Sequence, residues 1–404
     1  MKLIDGGVCA AKGFTANAVH CGIRKNKTKK DLAAVKSEVP GSAAAVYTTN
    51  LVKGATLAVT KKHLSNGTAQ AVICNSGIAN TCNKGGIETA EEMSRIAAEA
   101  LHVDENDVIV ASTGVIGQPL DLTPIKNGLP ELASGMNENG NACAAEGIMT
   151  TDTVKKEAAV EFTLGNKVCC LGGMAKGSGM IHPNMATMLV FLTSDVAISA
   201  EMLQKALSGD IKNTFNMVSV DGDTSTNDMV TVISNGMAGN DPITEENEDF
   251  KVFMAALNTV TVRLCRMIAG DGEGATKLIE CVTTGAADDG TAKKVAKSVI
   301  CSSLLKAAMF GADANWGRVL CAIGYSGAQV DVDKIDVSFR SKAGRIPVCE
   351  QGVGIDFSEE KAKEILSENE IEILVNLNSG DFSATAWGCD LTYEYVKING
   401  DYRT

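Results

Sequence analysis

The chain has 404 residues, of which 45% are apolar and 21% charged, with a formal net charge of −12. Its mean hydropathy is +0.05. This composition describes a folded globular protein, and an excess of acids over bases gives no footing for nucleic acid or an anionic membrane as partner. The 13 cysteines form no C-x-x-C pair and the four histidines have no metal-ligand spacing. They read as reduced thiols of a cytoplasmic protein without a metal site. The start, Met1 to Gly7, lacks the apolar core of a signal peptide, and apolar runs such as 188–192 are too short to span a membrane.

In chain order, the first elements expected are strands over 69–74 and 107–110. Between them, Thr89-Ala90-Glu91-Glu92 has the form of a capping box that opens a helix with Met93, Ile96, Ala97 and Leu101 on its apolar face. The run 188–192 reads as a strand. The acids of 245–249 read as a solvated helix start and mark the expected domain boundary. A helix is expected over 291–310, burying Val295, Val299 and Leu305. Ser358 can cap a helix ending at Leu366. Ile371, Ile373, Val375 and Leu377 then alternate as in a strand, and a last strand is expected over 391–398. The mixture indicates an α/β (α+β) protein.

Several chemistries lack their motif. Residues 324–328 fall one glycine short of G-x-S-x-G, and no histidine follows position 182. Residues 270–277 have glycines but no G-K-[ST] end, and no G-x-G-x-x-G follows a strand. Serine hydrolysis, ATP and NAD therefore have no support. Residues 172–190 are the most unusual stretch: a glycine-rich turn, Pro183, then an apolar run that contains Thr187 after Ala186. By pattern alone, Thr187 is a β-branched residue in a buried strand. Ser112-Thr113-Gly114 ends another strand, where a hydroxyl and a backbone N–H can point one way. Thr150-Thr151-Asp152-Thr153 is a further polar cluster. The acids between Asp221 and Asp228 lack EF-hand spacing and read as a hydrogen-bonded turn.

Taken together, these segments resemble the ornithine acetyltransferase (glutamate N-acetyltransferase) family of arginine biosynthesis. The resemblance runs almost end to end. It is carried by Asn75-Ser76-Gly77-Ile78-Ala79-Asn80, Ser112-Thr113-Gly114-Val115-Ile116-Gly117, Thr150-Thr151-Asp152-Thr153 and the stretch from Gly173 to Leu189. Gly270-Asp271-Gly272-Glu273-Gly274, Ala312-Asp313-Ala314-Asn315-Trp316-Gly317-Arg318 and the closing Tyr395 to Thr404 complete it. Ile78 and the Asn399-Gly400-Asp401 triplet depart from the family's commoner residues.

The resemblance implies a layered α/β/β/α-type main domain, 1–244 with 346–404, a smaller α/β domain within 245–345, and a precursor that cuts itself between Ala186 and Thr187. An α chain of 1–186 and a β chain of 187–404 would result. Thr187 would be the nucleophile, with its freed amine as base. Such an amine has an ordinary pKa of about 7.7–8.0, so a useful fraction is neutral near pH 7. Thr113 and Gly114 would hold the oxyanion, and Thr150, Lys176, Glu273, Asn399 and Thr404 would bind substrate. The reaction implied is ping-pong transfer of acetyl from N-acetylornithine to glutamate, without a cofactor, in an α2β2 assembly. Acetyl-CoA as a second donor stays open, as does an N-terminal-nucleophile amidase or aminopeptidase that passes the acyl group to water. A non-enzymatic protein with Thr187 in its core is the third reading.

Overall fold

The computed structural model describes residues 1–182 and 188–400. Its first strands are β1 (Lys2–Ile4), β2 (Phe14–Val19), β3 (Leu32–Tyr47), β4 (Thr68–Ile78), β5 (Val108–Val115), β6 (Lys156–Leu164), β7 (Lys167–Lys176) and β8 (Leu189–Ser194). Then come β9 (Val218–Ser219), β10 (Met229–Ser234), β11 (Leu278–Ala286), β12 (Asp336–Ser341), β13 (Gly344–Glu350), β14 (Val353–Gly354), β15 (Glu370–Asn376) and β16 (Phe382–Cys389). The helices of the first half are α1 (Ala55–His63), α2 (Gly86–Leu101), α3 (Thr123–Ser134) and α4 (Asn141–Gly147). Those of the second half are α5 (Ala200–Ile211), α6 (Glu248–Gly270), α7 (Asp289–Cys301), α8 (Ser303–Phe310), α9 (Trp316–Gly324), α10 (Glu359–Leu366) and α11 (Tyr393–Asn399).

One sheet runs β1-β6-β7-β8-β10-β3-β4-β5, with β2 beside β3. Both of its faces are buried, and the two-residue period of a strand sorts the side chains between them. In β4 and β5, Ala71, Ile73, Val108 and Val110 lie under α1, α2 and α3. Val72, Cys74, Ile109 and Ala111 point the other way, into a central core shared with Met174, Leu189, Phe191 and Met229. On the far side of that second group, Leu171, Val190, Leu192 and Val230 pack against α5 and α6. The long β3 joins the two halves, with a register shift between Lys36 and Gly41. The layers therefore run helix, sheet, sheet, helix. Because β8 is covered on both faces, its sequence is a continuous apolar run rather than an alternating one.

The second sheet runs β14-β13-β12-β15-β11-β16-β9. It joins strands from both sides of residue 345, and β9 brings in residues 218 and 219. The acids at 245–249 do open a helix. Asn247 accepts from Phe250 N, and Glu248 and Asp249 occupy the first turn of α6, where the helix dipole favours negative charge. This helix has 23 residues and, by length and composition, could cross a membrane. No such segment is apparent from the sequence runs. Here Phe253, Leu257, Val260 and Leu264 bury it in the core instead.

Three further expectations need correction. The helix at 89 starts earlier, at Gly86. Thr89 sits inside its first turn and donates to Gly85 O, so it is no cap. The helix over 291–310 is two helices. Ser302 is extended, accepts from Leu305 N and opens α8, which lets Lys306 reach the Cys389 carbonyl at 2.6 Å. The last strand is 382–389, and residues 393–399 are helical. Asp390 ends the strand by accepting from Thr276 N and Lys277 N. Tyr393 and Val396 then face solvent, so the apolar residues that suggested a strand are not buried.

Candidate active site

The end of β5 is built by backbone geometry. β4 and β5 are parallel, with Ser76 opposite Thr113 and Gly77 opposite Gly114. Gly114 has φ +131° and Gly77 φ +118°. A Cβ on Gly114 would lie 2.2 Å from the Gly77 carbonyl carbon, so the close approach admits only glycine. Neutral hydrogen bonds pin the surrounding chain. Ser112 Oγ donates to Asn75 Oδ1 at 2.5 Å, and Ser76 Oγ donates to Gly147 O at 2.7 Å. Asn227 Nδ2 donates to Ala79 O at 2.6 Å and to Ser112 O at 2.9 Å. Thr113 is buried, and its hydroxyl has no hydrogen-bond partner among the described residues.

The end of β7 is built by charge. Lys156 is fully buried and donates to Asp152 Oδ1 at 2.6 Å and to Asp271 Oδ2 at 2.5 Å. Asp152 also accepts from Thr150 N at 3.0 Å and Gly177 N at 2.7 Å, and its Oδ2 lies 4.0 Å from Lys176 Nζ. Burial opposes the ionisation of Asp152. Lys176 and Lys156 outweigh it, and with the Thr150 N–H they hold the carboxyl well below the usual range. Asp271 takes both N–H and hydroxyl of Thr153. Lys176 closes β7 opposite Leu189, the first residue of β8.

From Lys176 the chain turns directly to Glu273. Ser178 Oγ donates to Asp271 O at 2.6 Å, and Glu273 N donates to Ser178 O at 2.9 Å. Gly179 lies against the Glu273 carboxylate, where a Cβ would come within 2.4 Å. Asn399 Nδ2 donates to Glu273 Oε2 at 2.7 Å, which fastens α11 to this turn. Lys176 is 9% and Glu273 8% exposed, so both charges meet little bulk water.

Two other groups border the site. Asp228 is buried, and one of its carboxyl oxygens has no hydrogen-bond partner among the described residues. Burial pushes its pKa far up, against the opposing pull of Ser225 and Lys176. His182 lies 3.1 Å from Ser219 Oγ and 3.6 Å from Cys301 Sγ. Burial, helped by Lys297, lowers it to about 4. Asp221 accepts from Met180 N and Ile181 N, and Thr224 Oγ1 donates to His182 O. The 221–228 acids thus form the hydrogen-bonded turn that their spacing suggests.

Of the residues singled out from the sequence, Thr150 and Lys176 meet at Asp152, and Glu273 and Asn399 meet each other. Thr113 and Gly114 occupy the neighbouring strand end. Ala186, Thr187 and Thr404 lie outside the described residues. Lys156, Asp152 and Asp271 were not picked out as site residues. Their signal was the (i, i+4) pair Asp152 and Lys156, together with the acid in Gly270-Asp271-Gly272.

A layered sheet structure thus holds a buried cation and a buried anion about one turn at a strand end. A family model described as the ArgJ family matches residues 15–404. The arginine biosynthesis bifunctional protein ArgJ of Caldanaerobacter subterraneus subsp. tengcongensis is 48% identical over 405 residues, covering 100% of both chains. Its counterpart in Symbiobacterium thermophilum is 49% identical over 406 residues, again covering 100% of both. A crystal structure of an arginine biosynthesis bifunctional protein argJ from Bacillus halodurans matches with 49% identity and a TM-score of 0.50. It covers 52% of this chain and 97% of its own. The chain belongs to the ArgJ family.

Proposed function

We propose that the protein is the acetyltransferase of arginine biosynthesis that moves acetyl from N-acetyl-L-ornithine to L-glutamate. The observation that carries this reading is the pairing of Lys176 and Glu273. Both are more than nine-tenths buried, and both are fixed to the single turn 176–179. Lys176 answers a substrate carboxylate, and Glu273 answers the ornithine ammonium. Thr150 supplies a hydroxyl, and Asn399 and Thr404 also bind substrate.

Thr187 is the nucleophile. The precursor cuts itself between Ala186 and Thr187, which frees an amine that serves as the base for the same residue's hydroxyl. Thr187 Oγ attacks the acetyl carbonyl, and the oxyanion rests on the Thr113 hydroxyl and the Gly114 N–H. The intermediate collapses, ornithine leaves with a proton, and an acetyl-threonine ester remains. Glutamate attacks that ester through the same oxyanion and departs as N-acetylglutamate. Low exposure around Lys176 and Glu273 keeps water from the ester. Support for the cut comes from the Bacillus halodurans chain, nearly all of which matches only about half of this one. Acetyl-CoA is a second acetyl donor for glutamate, in keeping with the word bifunctional in the relatives' names. The protein works in the cytoplasm as an α2β2 assembly and needs no cofactor. Its thirteen free thiols fit a reducing compartment.

Initial rates over a grid of N-acetylornithine and glutamate concentrations test this. Parallel double-reciprocal lines, with N-acetylglutamate formed for each ornithine released, are expected. Acetate released at a rate indifferent to glutamate would overturn the transferase in favour of an amidase.

A further inference from the structure

A thiol and an amine outside the site are unusually close. Lys30 Nζ lies 2.8 Å from Cys143 Sγ. By contrast, Lys306 stands off from the Cys389 sulfur at 3.5 Å. The Cys143 sulfur also accepts from Ala18 N at 3.3 Å and faces Asn17 Oδ1 at 3.3 Å and Ala18 O at 3.2 Å. Asn17 is held in that orientation because its Nδ2 donates to Leu132 O at 2.9 Å. Glu146 Oε2 lies 3.2 Å from Lys30 Nζ. The Lys30 and Glu146 side chains are 31% and 42% exposed, so a small oxidant can reach the pair.

We propose that Lys30 and Cys143 form a covalent, reversible cross-link when the protein meets a peroxide. In the first step the sulfur attacks one peroxide oxygen, the O–O bond breaks, and Cys143 becomes a sulfenic acid with loss of water. The Lys30 ammonium offsets the negative charge needed on sulfur for that attack. In the second step the Lys30 amine attacks the oxidised sulfur. An S–N bond forms, the S–O bond breaks, and a second water leaves. Sulfur is oxidised and the peroxide reduced, and each step releases one water.

Glu146 gives the second step its proton acceptor. In the resting protein burial works against the charge on Lys30, but the Cys143 sulfur and Glu146 outweigh it and raise the pKa of the amine. In the sulfenic acid the sulfur is the electrophile, and Glu146, 3.2 Å from the Lys30 amine, is in reach of the departing proton. The link would tie the chain before Asp31 to α4. Asp31 accepts from Cys21 N and Arg24 N, and its carbonyl accepts from Ser76 N. The end of α4 receives Ser76 Oγ at Gly147 O. Both arms of the link therefore touch Ser76, the residue opposite Thr113.

The test is peptide mapping of the full-length protein after mild hydrogen peroxide, beside Cys143→Ser and Lys30→Arg. The expected wild-type product is one cross-linked peptide pair joining residues 30 and 143. It is lighter by two hydrogens than the sum of its parts and is undone by dithiothreitol. In Lys30→Arg, which keeps the charge, Cys143 should stop at the sulfenic acid and be trapped by dimedone. Cys143→Ser should give neither product. Dimedone labelling of Cys143 in wild type without the 30–143 pair would overturn the proposal. So would oxidation confined to the exposed Cys82 and Cys321.

Discussion

The two strand ends of the site are built from opposite materials. At the end of β5, Gly77 and Gly114 touch through backbone, neutral Asn and Ser side chains pin the chain, and the Arg24 stem lies against Gly77. At the end of β7, Lys156, Asp152, Asp271 and Lys176 form one buried charge cluster. The first arrangement fixes where an N–H and a hydroxyl point, which is what an oxyanion requires, and the hydrogen bonds that fix it join groups that do not titrate. The second fixes a cation in a place with little water, and it does so only while its carboxylates are ionised. Geometry at one end should therefore fail sterically and independently of pH. Electrostatics at the other should fail with acid.

The sharpest break of that contrast is Lys156→Met. It leaves two buried carboxylates without their shared cation, and a loss of about 3–5 kcal/mol in urea unfolding at pH 7 is expected. The folded pKa of Asp152 is depressed, so its contribution is present above its unfolded value of about 3.9 and lost below it. The gap between wild type and variant should thus narrow as pH falls below about 4. A gap of constant size would remove the electrostatic account. Gly114→Ala is the counterpart at the other end. A methyl 2.2 Å from Gly77, at φ +131°, should cost about 2–4 kcal/mol by crowding and strain, with no pH dependence between 4 and 8.

How far the sequence reveals each end follows from the same distinction. Ser112-Thr113-Gly114 after an apolar run is a local pattern, and local patterns are legible. The charge cluster draws residues 152, 156, 176 and 271 from three separate segments, which no spacing rule brings together. Single elements were legible where periodicity was strong, in β4, β5, α10 and β15, while the layering came only from the family resemblance. It was not legible at 391–398, where β-branched and aromatic residues suggest a strand. There the position beside β11 and β9 is already filled by β16, and Asp390 turns the chain away. The break at Ser302 was hidden for a related reason. Apolar periodicity continues through it, while the hydroxyl that caps α8 is a single residue.

Two smaller effects sharpen the comparison. If Thr113 is the proposed oxyanion donor, Thr113→Ala should lower kcat about 10²–10³-fold with little change in Tm, since its hydroxyl has no partner among the described residues. A large Tm drop would instead mark Thr113 as structural. His182 is lowered to about 4 by burial and Lys297. The unfolded chain therefore takes up a proton that the folded chain refuses as pH falls from about 6.5 to 4. Stability should decline in that window by at most about 1.4 kcal/mol per pH unit. His182→Asn should flatten the decline, as urea midpoints across pH would register.

The central claim is that Thr187 becomes an activated N-terminal nucleophile. Intact mass and a denaturing gel of purified wild type beside Thr187→Ala test it most directly. The account predicts two wild-type fragments, the second beginning at Thr187, and a single uncut 42.1 kDa chain for the variant. An uncut wild-type chain that still transfers acetyl would contradict it, because the nucleophile would then have no amine of its own.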